Sequence, residues 1–466
     1  MKAAFIGGGS LRLLPIFRGI FLECPEVFRN GEIRLIDLKL ERAEAVAKLL
    51  AACPEYQNVQ CKIVATTDVD AGLEGIDVLY LTMAAMREPS ETLAQDIALE
   101  HGYYSSDQLT VNGAFLSLRL GGFILELARK LEKVSPKALM LIFPNPVSVY
   151  SNMVNRFTKI KALGICGGFG NHRWDLSRLC FGKDEFDHNW NVVAAGVNHL
   201  SFILRGEYKG EDLYSSLLPR TLTDSWKMVN LTSYDGEAKD LMEEAIQDLY
   251  DCYRKYNTLV FSTEYDGLAH IFVDNCRKLQ RRRAEARKNT FDPATAREKE
   301  LAAIEKRFSD FFALANAPET IDWTLPSRQN PYCYMNNKDI SIPILKAVAG
   351  IEKMRIVASR PNYGVIDGLP ENAAVEYTMD IFKDTITPVE NQYIPSPFRG
   401  LIASLSEFQT LNAEALATRD PKLFAAALDA YPVHQFDPER KSFFKKMFEL
   451  YTDVDPMWRE AEELLF

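Results

Sequence analysis

The chain has no CxxC pair. Its eight cysteines, at positions 24, 53, 61, 166, 180, 252, 276 and 333, are scattered, which predicts buried free thiols rather than a disulfide framework. It lacks a surplus of positive charge: 54 Lys+Arg against 64 Asp+Glu leave a net charge of −10, which argues against nucleic-acid or anionic-membrane partners. The basic run beginning KLQRRRAEARK reads as a solvated helix face. No internal repeat or low-complexity tail is present. Polar or charged residues interrupt each apolar stretch before it reaches membrane-spanning length, and only six residues precede the first glycines, too few for a signal peptide. These absences lead us to expect a cytoplasmic globular protein that binds a small neutral or anionic ligand.

What is present supports a large core. Hydrophobic residues make up 47% and charged residues 25% of 466 positions, a length that exceeds one ordinary core and suggests two packed units. Apolar runs at 2–7, 32–36, 62–65, 77–81, 138–143 and 162–166 alternate with helical patterns at 11–21, 40–50 and 116–133. This rhythm predicts an α/β fold with a doubly wound, Rossmann-type parallel sheet, whose ligands bind at the carboxyl ends of the strands. After Gly170 the rhythm changes: two extended segments cover 189–208, and helices are expected to dominate from Glu237 onward. The expected organisation is therefore a nucleotide-binding domain over 1–170 and an α+β substrate domain over 171–466.

Gly7, Gly8 and Gly9 end the first strand where a backbone must approach a pyrophosphate, and the helix that follows offers free N–H groups to that anion. Ser10 adds a hydroxyl donor, while Arg12 stands where GxGxxG has its third glycine. Asp37, at the end of the second strand, is placed to accept hydrogen bonds from an adenosine ribose, which favours NAD over NADP. Farther on, Asn145 stands between two prolines in FPNP, Cys166 lies in GICGGFG and His199 in GVNHLSF. A thiolate and an imidazole are competent ligands for a borderline divalent metal, although 33 residues of separation form no local metal signature.

Taken in order, IGGGS (6–10), IDL (36–38), LRLGGFILELARKLEKVSPKALMLIFPNPV (118–147), GICGGFG, GVNHLSF (196–202), RKYNTLVFSTEYDGLAHIF (254–272) and RPNYGVIDGLPENAAVE (360–376) span essentially the whole chain. In these motifs the sequence resembles the NAD- and metal-dependent glycosidases of glycoside hydrolase family 4, relatives of lactate and malate dehydrogenases. The resemblance implies that Cys166 and His199 hold a divalent metal, usually Mn2+. It also implies that Asn145 and Asn198 contact sugar hydroxyls, that Arg119 lies beside the sugar, and that STEYD presents Glu264, Tyr265 or Asp266 to the substrate.

The family mechanism implied here departs from the two-carboxylate scheme of most glycosidases. NAD takes hydride from C3, the metal polarises the resulting ketone as a Lewis acid, a base removes the acidified C2 proton, and the aglycone leaves by elimination. Water then adds and the hydride returns. The resemblance points to Tyr265 as the base, with Asp266 as runner-up, and to Asp107 as the acid that assists departure. The turn after Asp107 reads VNGA where the family has GPGG, so Gln108 competes for that place, although an amide cannot supply the proton. The expected substrate is an unphosphorylated α-glycoside (α-galactoside, α-glucoside or α-glucuronide). Its rival is a sugar 6-phosphate bound by Arg12, Arg87 or Arg119. A homodimer or homotetramer is implied by the same resemblance. Fold alone leaves open an NAD-dependent hydroxy-acid or sugar-acid dehydrogenase and a non-catalytic NAD sensor.

Overall fold

The run AAFI after Lys2 is buried on both sides, with Ala3, Ala4 and Phe5 fully inaccessible, as a central parallel strand requires. It forms β1 (Lys2–Ile6), and the other apolar runs form β2 (Glu32–Ile36), β3 (Lys62–Thr66), β4 (Val78–Leu81), β5 (Leu139–Ile142) and β6 (Lys161–Gly164). These six are parallel in the order β3-β2-β1-β4-β5-β6, the doubly wound dinucleotide-binding topology. The computed structural model describes residues 1–84, 90–221, 231, 236–261, 267–274, 278, 281–282, 285, 293–324, 339–453 and 455–466.

The second half adds β7 (Trp190–Val197), β8 (Leu200–Tyr208), β9 (Glu211–Asp212), β10 (Leu259–Phe261), β11 (Met354–Pro361), β12 (Ala374–Phe382) and β13 (Thr385–Pro388). The extended segments expected over 189–208 are β7 and β8. Beyond Glu237 helices dominate, as expected, but β11 and β12 add a long central hairpin that the sequence reading did not include. Arg355, Arg360, Glu376 and Asp380 interrupt their apolar character, so neither strand shows as an apolar run. The sheet runs continuously across the expected partition at residue 170. Antiparallel pairing of Ser359 with Gly164 fuses β11 to β6, giving one mixed sheet across both halves. Helix Ser341–Val348 packs on helix Leu13–Glu23, and helix Pro293–Asn316 on Leu40–Ala52.

One line of register partners crosses the whole sheet: Thr66, Ile36, Ile6, Leu81, Ile142, Gly164, Ser359, Glu376, Gly196, Ser201 and Phe261. It marks the carboxyl edge of the parallel strands and continues to the start of β8. The loops that follow β1, β5 and β6, together with the β7–β8 turn, therefore lie at or beside one seam.

Helix Val111–Val134 corrects one reading of the sequence, since its length and hydropathy suffice to cross a membrane. Its apolar residues, among them Phe115, Ile124, Ala128 and Leu131, are instead buried in this fold. Phe115 meets Phe424 and Phe448 edge to face, the arrangement favoured by the aromatic quadrupole.

Close backbone approach at the seam requires glycine. A methyl on Gly196 would lie 2.3 Å from the Leu200 carbonyl oxygen and 2.6 Å from the Ser201 Cα, and neither backbone atom can move without disturbing β8. Gly196→Ala is therefore expected to destabilise the protein by ~1–3 kcal/mol, as overpacking does, seen as a lower midpoint in thermal denaturation. An unchanged midpoint contradicts the tight seam.

Candidate active site

At the amino-terminal end of the seam the chain turns through Gly7, whose φ of +86° lies in the left-handed region open to glycine. The amides of Gly7 and Gly8 both donate to the Ile36 carbonyl, at 3.0 and 2.9 Å. A methyl on Gly8 would sit 2.6 Å from the β2 backbone. Gly9 donates to Asp37 Oδ2 at 2.9 Å, and Lys39 N to Asp37 Oδ1 at 3.0 Å. Asp37 thus braces the glycine turn from β2, and each of its oxygens keeps a lone pair for a further donor. Helix Leu13–Glu23 begins after this turn without a side-chain cap; the Leu13 and Leu14 amides donate to the Ser10 and Leu11 carbonyls at 3.1 and 3.4 Å, and Pro15, the next residue, carries no N–H.

Beside the turn lies a cleft of about 250 Å³ lined by Ser10, Arg12, Thr82, Asp107, Asn112, Phe143, Asn145 and Tyr451, among others. Asn145 Nδ2 donates to Asp107 Oδ2 at 2.7 Å, so the structure brings these two residues together. Gln108, the competitor for the acid's place, points elsewhere. It is buried, its Nε2 donates to Asn198 Oδ1, and its Oε1 accepts from Val147 N at 3.0 Å. Asn112 accepts from the Tyr451 hydroxyl at 2.5 Å, so a residue from helix Glu439–Tyr451 forms part of the cleft wall. No feature of the local sequence announces that contact, 339 residues apart.

Where β5 and β6 end side by side, Asn145 and Cys166 follow Ile142 and Gly164, which are register partners. Cys166 Sγ lies 3.3 Å from His199 Nε2 and accepts from Gly168 N at 3.3 Å. His199 occupies the two-residue turn between β7 and β8 with a φ of +69°. Metal–sulfur and metal–nitrogen bonds of about 2.3 and 2.1 Å place two ligands of one ion roughly 3–4 Å apart, so the pair fits a shared divalent cation. Cys166 is half-buried rather than sealed in the core. Among the described residues, no group of three or more His, Cys, Asp or Glu side chains is placed to hold a metal ion.

Two expected residues are placed differently. Asn198 is 2% exposed and spends its amide on Gln108 and on Glu376, to whose Oε2 it donates at 2.5 Å, so it supports the turn rather than facing a sugar. Arg119 does not line the cleft: it pairs with Asp453 at 2.8 Å, donates to the Leu450 carbonyl at 2.9 Å and lies 5.7 Å from the ring of Tyr451, which does. Arg12 does line the cleft, but its guanidinium is committed. It pairs with Asp339 at 2.7 Å, donates to the Tyr80 hydroxyl at 2.9 Å and stacks 3.6 Å above the Phe143 ring. Arg87, Glu264, Tyr265 and Asp266 lie outside the described residues.

Sequence reasoning assigned no role to Glu376, although its motif was in view. This carboxylate is 2% exposed and accepts from Asn198 and from Ser201 Oγ, the latter at 2.9 Å. Burial pushes its carboxyl above the usual carboxylate range against those hydrogen bonds.

The model of the Family 4 glycosyl hydrolase matches residues 2–176, and that of the Family 4 glycosyl hydrolase C-terminal domain matches 194–433. The 6-phospho-beta-glucosidase of Escherichia coli (strain K12) is 22% identical over 96% of this chain and 94% of its own length. The alpha-galactosidase of Bacillus subtilis (strain 168) is 23% identical over 92% and 93%. Among solved structures, a 6-phospho-alpha-glucosidase from gut microorganisms in complex with NAD and Mn2+ superposes with a TM-score of 0.74 at 17% identity, covering 98% of each chain. The 6-phospho-beta-glucosidase of Thermotoga maritima with manganese, NAD+ and glucose-6-phosphate gives 0.72 at 18%, covering 96% of this chain and 98% of that one. The structural likenesses establish a shared fold, and the matched segments contain the glycine turn, Cys166 and His199: the chain belongs to glycosyl hydrolase family 4.

Proposed function

We propose that the protein is an NAD- and divalent-metal-dependent glycosidase that cleaves an unphosphorylated α-glycoside by the C3-oxidation and elimination route of its family. The observation that carries this reading is the approach of Cys166 Sγ to His199 Nε2 beside Asn145 and Asp107. The Gly7–Gly9 turn, Ser10 and Asp37 would hold NAD, and Cys166 with His199 would hold the metal. When bound, NAD supplies a hydride acceptor and donor for C3, and the ion supplies Lewis-acid polarisation. A relative and two structural neighbours carry the same kinds of cofactor or reaction in their names.

The chain's own groups support the remaining steps. Asn145 offers a carboxamide to the sugar hydroxyls and holds Asp107 by its Oδ2, leaving Oδ1 for the proton that accompanies the leaving aglycone. Tyr265 is our candidate for removing the C2 proton, with Asp266 next and Glu264 as a sugar contact. β10 ends at Phe261 opposite Ser201, two residues past His199, and the segment carrying all three follows it. The preference for an unphosphorylated sugar rests on charge. Arg12 is neutralised by Asp339 and Arg119 by Asp453, while Asp107 and Glu91 add carboxylates to the cleft lining.

Nitrophenyl α-glycosides should release nitrophenol only with NAD, Mn2+ and a thiol reductant together, without net NADH, and the corresponding 6-phosphates should react far more slowly. Faster turnover of the 6-phosphates reverses the substrate assignment, and NADH accumulating without cleavage makes the protein a dehydrogenase.

Asp107→Asn should lower kcat/KM by about 10²–10⁴-fold for alkyl glycosides, whose leaving groups need a proton, and much less for nitrophenyl glycosides. Equal losses for both leaving groups contradict the acid assignment. Asp37→Ala, which removes the ribose acceptor, should weaken NAD binding by about 10–100-fold, the range for hydrogen bonds to a charged group, with little change for NADP. Isothermal titration calorimetry with both nucleotides distinguishes this from a general loss of the turn.

A further inference from the structure

We infer that Glu376 and Gln108 are positioning residues for His199: acting through Asn198, they hold the β7–β8 turn in the conformation that brings His199 Nε2 to Cys166 Sγ. The inference rests on the reading of Cys166 and His199 as metal ligands.

The turn itself needs support. Val197 pairs with Leu200, so Asn198 and His199 are its two central residues. Two-residue hairpins favour turns whose first central residue has a positive φ, yet here only the second, His199, is left-handed. Such a conformation at a side chain other than glycine persists when its surroundings over-determine it.

Those surroundings form one directional hydrogen-bond chain. Val147 N donates to Gln108 Oε1, Gln108 Nε2 donates to Asn198 Oδ1, and Asn198 Nδ2 donates to Glu376 Oε2. Ser201 Oγ donates to the other oxygen, Glu376 Oε1, at 2.9 Å. The carboxylate therefore grips the turn from both sides, one residue before His199 and two residues after it. Gln108, Asn198, Ser201 and Glu376 are all at most 2% exposed, so no solvent competes for these bonds. Each amide has a single orientation that satisfies its neighbours, and the chain ends on Glu376 Oε2, which accepts from Asn198 Nδ2. Register explains why it is residue 376: Glu376 pairs with Gly196, and Gly196 with Ser201. At its other end the chain reaches Val147 N, two residues beyond Asn145, while Asp107 precedes Gln108. The turn carrying His199 is thus tied to the loop that presents Asn145 and Asp107.

The experiment compares Mn2+ binding, from the electron paramagnetic resonance of free Mn2+, with NAD binding by calorimetry. The proteins are wild type, Glu376→Gln, Gln108→Met, the double variant and Ser201→Ala. Positioning predicts that Glu376→Gln and Gln108→Met each weaken Mn2+ binding by about 10–100-fold, as loss of a partner behind a ligand does, with NAD affinity unchanged. The double variant should lose less than the product of the single losses, because both belong to one chain. Ser201→Ala, which leaves the Asn198 bonds intact, should lose least. Wild-type enzyme that takes up no Mn2+ removes the metal reading and this inference with it. Wild type that binds Mn2+ while Glu376→Gln and Gln108→Met bind it as tightly overturns the inference alone. Parallel loss of NAD and Mn2+ binding in both single variants also overturns it, because the role is then general to the fold.

Discussion

The main-chain pairing of Gly164 with Ser359 joins a parallel sheet to an antiparallel one, and the geometry of the site depends on that junction. Without it the loops after β5 and β6 would end at an open sheet edge. With it, β11, β12, β7 and β8 continue the same register, and a turn 33 residues away in sequence returns to Cys166. The junction admits little side-chain volume: a methyl on Gly164 would lie 2.6 Å from the Val147 carbonyl oxygen and 2.9 Å from Ser151 Oγ. Glycine at this point is what lets the helix after Asn145 pack directly over the seam.

Among the described residues, the lining of the cleft carries one arginine, Arg12, and two carboxylates, Asp107 and Glu91. Its arginine is shared between a carboxylate, a phenol and an aromatic face, and Tyr80 extends that network to Ser341 at 2.8 Å. Ser341 in turn donates to Asp339 at 2.5 Å. An arginine held so completely organises the wall between the glycine turn and helix Ser341–Val348.

How much of this was legible in the sequence follows from the range of the interactions involved. The parallel strands were legible because burial on both faces demands short uninterrupted apolar runs, and the glycine turn because a close approach to phosphate demands glycine. β11 and β12 escaped notice because their polar residues, such as Glu376, are satisfied by partners from other strands. Arg119 looked available because Asp453, which holds it, lies 334 residues away. Asn198 has the right chemistry for a sugar, but its two partners come from positions 90 residues before it and 178 after it. The meeting of Cys166 and His199 was likewise beyond local pattern: resemblance suggested it, and strand register brings the two side chains together.

The central claim is that Cys166 and His199 bind one divalent ion, and its most direct test is optical. Protein loaded with Co2+ should show a thiolate-to-metal charge-transfer absorption that disappears in Cys166→Ser while NAD still binds. Tight Co2+ binding without that band, or a band that persists in Cys166→Ser, would contradict the account.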